Sequence, residues 1–224
     1  MKFEYAYQAP KRGVAKVTDR AVLLAHGAGA DMHAATLTTV TDALSAAGIA
    51  SLRFQYPYRS AGKKAPDRPA ALFEATRTAV AELARRTKLP VDRLVIRGRS
   101  MGGRYCSMVA AGGMPKDVEE PVACLGMVLL GYPLHAAGKP EKERSDHFPR
   151  LTMPVLFVSG TKDSLASKPA LVKAARKVKG PRQFHWIESG DHGFKPLKSS
   201  GLTVDGVLAE VATAVTAWAV ALPE

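Results

Sequence analysis

An α/β fold, with a mainly parallel central sheet and helices on both faces, is what this sequence predicts, and three observations predict it. Short apolar runs of strand length recur along the chain, helix-length segments separate them, and the runs end in glycine or polar turns. Strands buried on both faces lose polar alternation, and parallel neighbours need a helical crossover between them, so this rhythm belongs to a parallel sheet. A length of 224 residues fits one such unit, and a single domain over residues 1–224 is expected.

The elements follow in order. Residues 2–18 hold an edge strand or hairpin, and AVLLAHG then reads as the first buried strand. A helix from His33 to Ala47, closed by Gly48, and a strand from Ile49 to Phe54 complete a β-α-β unit. The loop QYPYRSAGKKAPDRP carries three prolines, fits neither period and is long enough to be functional. A helix from Ala70 to Thr87 leads past Pro90 into the strand DRLVIRG. After a tight turn at Ser100 come a helix from Gly102 to Ala111, a glycine and proline break, and a strand in ACLGMVLLG. MPVLFVSG (strand), Lys168–Val178 (helix), RQFHWIE (strand) and Val204–Ala219 (helix) close the chain. Leu134–Arg150 is the one sizeable insertion, with room for a short helix at most, so little or no cap domain is expected.

Composition narrows the function. Hydrophobic residues at 46% and charged residues at 23% describe a soluble globular chain. The start, MKFEYAYQAP, has no apolar run of a secretory signal, and stretches such as ACLGMVLLG are far shorter than the roughly 20 residues of a membrane span. Cys106 and Cys124 sit in apolar surroundings and read as reduced, buried thiols, which points to a cytoplasmic location. A net charge of +12 can attract nucleic acid or acidic partners. The bases, however, are scattered (Arg85, Arg86, Lys88, Lys173, Arg176, Lys177, Lys179) without interleaved aromatics, as on a solvated surface, so neither nucleic acid nor membrane is an expected partner.

The chemistry centres on Gly98-Arg-Ser-Met-Gly-Gly103, a G-x-S-x-G match between a strand and a helix. Glycines on both sides of Ser100 permit the sharp turn that lifts its hydroxyl above the strand end, with a helix N-terminus beneath. The Met101 N–H is then placed to receive an oxyanion, and Ala28 or Gly29, in the loop His26-Gly27-Ala28-Gly29, offers a second donor; otherwise that loop is a plain glycine turn. A serine nucleophile needs a base held by an acid. His192, in SGDHGF after the strand RQFHWIE, is the best placed histidine, and His26 reads as a loop-stabilising residue. Asp163, ending VLFVSGTKD, gives the chain order Ser, Asp, His expected of such a site. Glu188 and Asp191 compete but lie so close to His192 in sequence that reaching its far ring nitrogen is difficult, and Asp163 also has the simpler reading of a turn cap.

With these motifs in place the sequence resembles the α/β-hydrolase superfamily. Within it the chain is similar to the small dienelactone-hydrolase-related branch that includes the testis-expressed 30 protein and the hydrolase-like part of NSL-complex subunit 3. The resemblance rests on AHGAGADM, GIASLRFQYPYRSAG, RGRSMGGRYCSMVA, GYPLH with GKPEKERSDH, VLFVSGTKD and GDHGF. It implies a Ser100, Asp163, His192 triad with no cofactor and no metal. Dienelactone hydrolases use a cysteine nucleophile where this chain has Ser100, so their substrate does not carry over. Relatives in chromatin complexes imply a rival, a catalytically silent module binding an acidic partner.

The expected reaction is hydrolysis of a small ester or thioester through an acyl-enzyme. Tyr56 and Tyr58, with Phe54 and Pro57, either line an acyl pocket or pack their own loop. Arg99 and Arg104, with Arg53 and Arg59, place positive charge near strand ends and the turn, which leads to an expected preference for carboxylated substrates. Acyl group, leaving group and oligomeric state are not written in the sequence.

Overall fold

The computed structural model describes residues 3–114 and 117–223. Its first half runs β1 (Glu4–Gln8), β2 (Ala21–Ala25), α1 (Ala35–Ala46), β3 (Ala50–Gln55), a single turn α2 (Pro57–Ser60), α3 (Pro69–Thr87), β4 (Leu94–Arg99) and α4 (Met101–Ala110). The second half runs through a minimal hairpin, β5 (Gly113–Met114) and β6 (Asp117–Val118), then β7 (Gly126–Leu130), β8 (Val155–Gly160), α5 (Lys168–Ala175), β9 (Arg182–Ile187) and α6 (Val204–Ala221). Seven strands form the main sheet in the order β1-β3-β2-β4-β7-β8-β9, with β1 antiparallel to β3 and the rest parallel.

Strand β2 shows why the apolar runs had no alternation. Ala21, Leu23 and Ala25 enter one core cluster and Val22 and Leu24 enter the other, all fully buried. On the first face, Leu72, Ala75, Ala79 and Leu83 of α3 pack with Cys106 and Met108 of α4 and Leu171 of α5. On the second, Leu37, Val40 and Leu44 of α1 meet Val207, Val211, Val215 and Trp218 of α6. Each fully buried Leu or Val side chain among these contributes about 1.5–3 kcal/mol, so the two faces supply most of the driving force.

The helix ends follow local chemistry. Pro69 starts α3 at a position where a missing N–H costs nothing, and Lys88, at φ 60°, ends it. Gly48, at φ +82°, lets the chain turn out of α1 into β3. Thr203 caps α6 by accepting from the Gly206 N–H at 3.1 Å. At the other end of α6, buried Arg20, just before β2, donates to the carbonyls of Ala219 (3.0 Å), Val220 (3.3 Å) and Leu222 (2.6 Å). A guanidinium there satisfies carbonyls that no helical N–H can reach and opposes the negative end of the helix dipole.

Three features depart from the expectations. Helix α4 begins at Met101, one residue early, because Ser100 itself is the residue entering the helix. The break after α4 contains β5 and β6, with residues 115 and 116 outside the described part. Helix α6, with 18 residues and mean hydropathy 1.4, is long and apolar enough to cross a membrane, although its inner face is the packing surface against α1. The 134–150 insertion holds an isolated bridge between Ala136 and Lys139 and a 3-10 turn at Phe148–Arg150, so no cap domain is built from the described residues.

Candidate active site

The chain leaves β2 toward β3 on one side and returns to β4 on the other, so a crevice opens where the carboxyl ends of β2 and β4 diverge. Ser100 stands there, at φ 49° and ψ −118°. This region costs an ordinary side chain about 1–3 kcal/mol and persists only when the surroundings enforce it. The flanking glycines are part of that enforcement. A Cβ at Gly98 would collide with the backbone of Gly102 and Gly103, and one at Gly102 would sit 2.5 Å from the His26 carbonyl oxygen. The Ser100 N–H also donates to the Leu130 carbonyl at 2.8 Å, tying the turn to β7.

Three segments converge on that hydroxyl. Ser100 Oγ lies 2.9 Å from His192 Nε2, and His192 Nδ1 lies 2.9 Å from Asp163 Oδ2 and 3.1 Å from Oδ1. Asp163, 4% exposed, also accepts from the Leu165 N–H at 2.8 Å, which fixes the carboxylate plane. A carboxylate against Nδ1 selects the tautomer that carries its proton there, leaving the Nε2 lone pair for the serine proton. The competing acids are occupied elsewhere. Asp191 Oδ1 accepts from Gly193 N–H (2.7 Å) and Lys195 N–H (2.9 Å), shaping the loop that presents His192, and Glu188 meets Thr161 Oγ1 at 3.3 Å.

The loop after β2 is held by His26, which is fully buried. Its Nδ1–H donates to the Gly27 carbonyl at 2.8 Å and its Nε2 accepts from the Tyr56 N–H at 3.1 Å. The second bond requires a neutral ring, since a protonated Nε2 has no lone pair to accept with, and burial above all holds the pKa down at about 4. Ala28 lines the crevice beside Ser100, with Gly29 exposed next to it, and Tyr58 Oη–H donates to the Ala28 carbonyl at 2.7 Å. At the far side, Met101 opens α4, where the first N–H groups have no helical acceptor.

The crevice is a cleft of about 400 Å³ between the loop before α3, which contributes Pro66 and Asp67, and the insertion, which contributes His135, Ala136 and Arg144. Arg104 lines it. The other candidate substrate residues do not. Tyr56 is fully enclosed with its hydroxyl 3.1 Å from Thr76 Oγ1, and Tyr58 is enclosed and spends its hydroxyl on Ala28, so both are supports of the loop rather than an acyl pocket. Arg99 points behind the relay, its Nη2 3.4 Å from the His192 carbonyl oxygen. Among the described residues no group of three or more His, Cys, Asp or Glu side chains is placed to hold a metal.

Comparison with known proteins is decisive for the family. The profile of the alpha/beta hydrolase domain matches residues 18–220. The chain belongs to that family. Solved structures share the fold at low identity. Est1E from Butyrivibrio proteoclasticus, solved with ferulic acid bound, superposes with a TM-score of 0.73 at 19% identity, over 98% of this chain and 95% of that one. A serine hydrolase without a lid from Xanthomonas campestris gives 0.70 at 19% identity, over 99% and 90%. Dienelactone hydrolase from Anabaena variabilis gives 0.67 at 19% identity, over 100% and 94%. As an alpha/beta hydrolase the chain adds cleft residues that sequence reasoning missed: Tyr105, His135, Arg144 and Leu165. Tyr105 was within reach, being one position after Arg104 on the helix that starts at Ser100, while Arg144 arrives through a fold of the insertion that no periodicity announces.

Proposed function

We propose that the protein is a serine hydrolase that cleaves a small ester or thioester, with Ser100 as nucleophile, His192 as base and Asp163 as the orienting acid. The observation that carries this reading is the unbroken relay of two 2.9 Å contacts from Ser100 Oγ through His192 to Asp163 Oδ2. Ser100 Oγ attacks the substrate carbonyl carbon while its proton passes to His192 Nε2. The tetrahedral oxyanion is received by the Met101 N–H and by an N–H of the Ala28–Gly29 turn, each donor worth about 3 kcal/mol of transition-state stabilisation. Collapse expels the alcohol or thiol with the proton from Nε2, leaving an acyl-serine. A water, deprotonated by His192, then adds to the acyl carbon and restores the serine. None of these steps calls on a cofactor.

The same reading treats residues 1–224 as one domain, in the small dienelactone-hydrolase-related branch similar to the testis-expressed 30 protein and NSL-complex subunit 3. It also places the protein in the cytoplasm. Free, buried Cys106 and Cys124 support that location, burial raising both thiols above their ordinary range, Cys124 to about 12.

A neutral fluorophosphonate probe tests the assignment. Wild type is expected to be labelled at Ser100, Ser100→Ala to remain unlabelled, and an ester panel to show turnover that Ser100→Ala lacks. An unlabelled wild type would support the rival instead, a catalytically silent module binding an acidic partner through its basic surface.

A further inference from the structure

Two arginines face the cleft beside Ser100, and neither makes an ion pair among the described residues. Arg104 lies one helical turn beyond the nucleophile, its N–H donating to the Ser100 carbonyl at 3.0 Å. Its half-buried side chain lines the cleft, and its Nε is buried without a hydrogen-bond partner among the described residues. Arg144 reaches the same cleft from the insertion. Its backbone is locked at both ends, the N–H donating to the Leu134 carbonyl at 2.7 Å and the carbonyl accepting from Tyr132 Oη–H at 2.5 Å. The side chain is therefore presented from a fixed point rather than from a wandering loop.

The electrostatics of the pair are unfavourable as they stand. Burial first, and then the charge of Arg104, hold Arg144 below the ordinary arginine range. No ion pair involves either guanidinium among the described residues, although exposed cations elsewhere, such as Arg85, Arg86 and Lys177, do find acids. Two like charges, partly desolvated and left without a counterion, are an arrangement that an anionic ligand relieves. Among the described residues Asp67 is the one acid that lines the cleft; it stands on the wall formed by the loop before α3, where its charge acts on Tyr58.

We infer that Arg104 and Arg144 form an anion subsite that selects esters carrying a carboxylate a few bonds from the scissile carbonyl. This rests on the hydrolase reading above and deepens it from any small ester to an anionic one. Arginine suits the task because its planar fork can take both oxygens of a carboxylate, and two forks lining one cleft restrict where that carboxylate sits relative to Ser100. Sequence order groups Arg104 with Arg53, Arg59 and Arg99, whereas in space the arginine that lines the cleft with it is Arg144.

The test compares p-nitrophenyl hemisuccinate with p-nitrophenyl butyrate, esters of the same acyl length that differ in charge. The readout is the ratio of their kcat/KM values in wild type, Arg104→Gln, Arg144→Gln and Arg144→Lys. Wild type is expected to favour the hemisuccinate by about tenfold or more, the magnitude of one charge-assisted hydrogen bond. Each glutamine variant is expected to lower the ratio at least about tenfold, with Arg144→Lys in between. Because the readout is a ratio, general damage to the fold cancels from it. A wild type without preference for the hemisuccinate, or glutamine variants with the wild-type ratio, would overturn the subsite. The neutral fluorophosphonate separates the two levels: a labelled enzyme without carboxylate preference overturns the subsite alone, and an unlabelled enzyme overturns the hydrolase reading beneath it as well.

Discussion

Replacing His26 by Phe is expected to do two separable things. The first is to orphan the Tyr56 N–H, which now donates to His26 Nε2 inside the protein, and to take one of two donors from the Gly27 carbonyl, whose other is the Ala30 N–H. A buried donor left unpaired costs about 1–3 kcal/mol, so the variant should be less stable than wild type by that amount at pH 7.5. The second concerns acid. Burial holds the folded His26 pKa at about 4 against an ordinary 6.5, so below pH 6.5 the unfolded chain binds a proton that the folded one refuses. The contribution of His26 is complete above 6.5 and is lost as pH falls toward 4. At pH 4.5 the loss is about 2.5 kcal/mol, and the His26→Phe variant, having no proton to bind at that position, escapes it. Urea unfolding of both proteins at pH 7.5 and 4.5 is the assay. His147, held at about 3 chiefly by burial, titrates in both proteins and cancels from the comparison. The stability gap should close or reverse at pH 4.5, and an equal gap at both values would refute the neutral, doubly bonded imidazole.

Other expectations concern the relay and its supports. Asp163→Asn should cost roughly four orders of magnitude in kcat, because an amide N–H facing Nδ1 favours the tautomer that cannot accept the serine proton. Steady-state turnover of an ester checks this, and a loss below tenfold would contradict it. Arg99→Ala removes the donor behind the His192 carbonyl and should slow neutral and carboxylated esters alike, by about tenfold for one lost charge-assisted bond. A selective loss on the carboxylated ester would return Arg99 to the substrate. Arg20→Ala should cost about 1.5–3 kcal/mol in urea unfolding, since three carbonyls at the end of α6 lose one charged donor. Unchanged stability would show that those carbonyls are solvated instead.

The strands were readable because burial on both faces leaves an unmistakable apolar run, as in β2, and the turn at Ser100 because only glycines tolerate its crowding. The order Ser, Asp, His was likewise readable, since each residue follows a strand whose carboxyl end faces one side of the sheet. Fully buried Arg97 was not. It occupies the middle of β4, donates to the Thr36 carbonyl at 2.8 Å and is lowered to about 9 by burial and by neighbouring Arg99. An arginine in a strand carries no local sign of whether a carbonyl from a distant helix will meet it. Tyr56 and Tyr58 stayed ambiguous for a related reason: their loop position allows either access or packing, and it is a one-turn helix that folds them inward onto Thr76 and Ala28. Pairing of Arg104 with Arg144 spans 40 positions and depends on how an irregular insertion closes, which neither propensity nor periodicity encodes.

The clasp of Arg20 on the last turn of α6 has a practical corollary. It sits where β2 begins, whereas the cleft opens where the same strand finishes, so Leu222 is held at the end of the sheet remote from the cleft. An affinity tag, reporter or partner domain grafted there leaves the mouth unobstructed for incoming reactants.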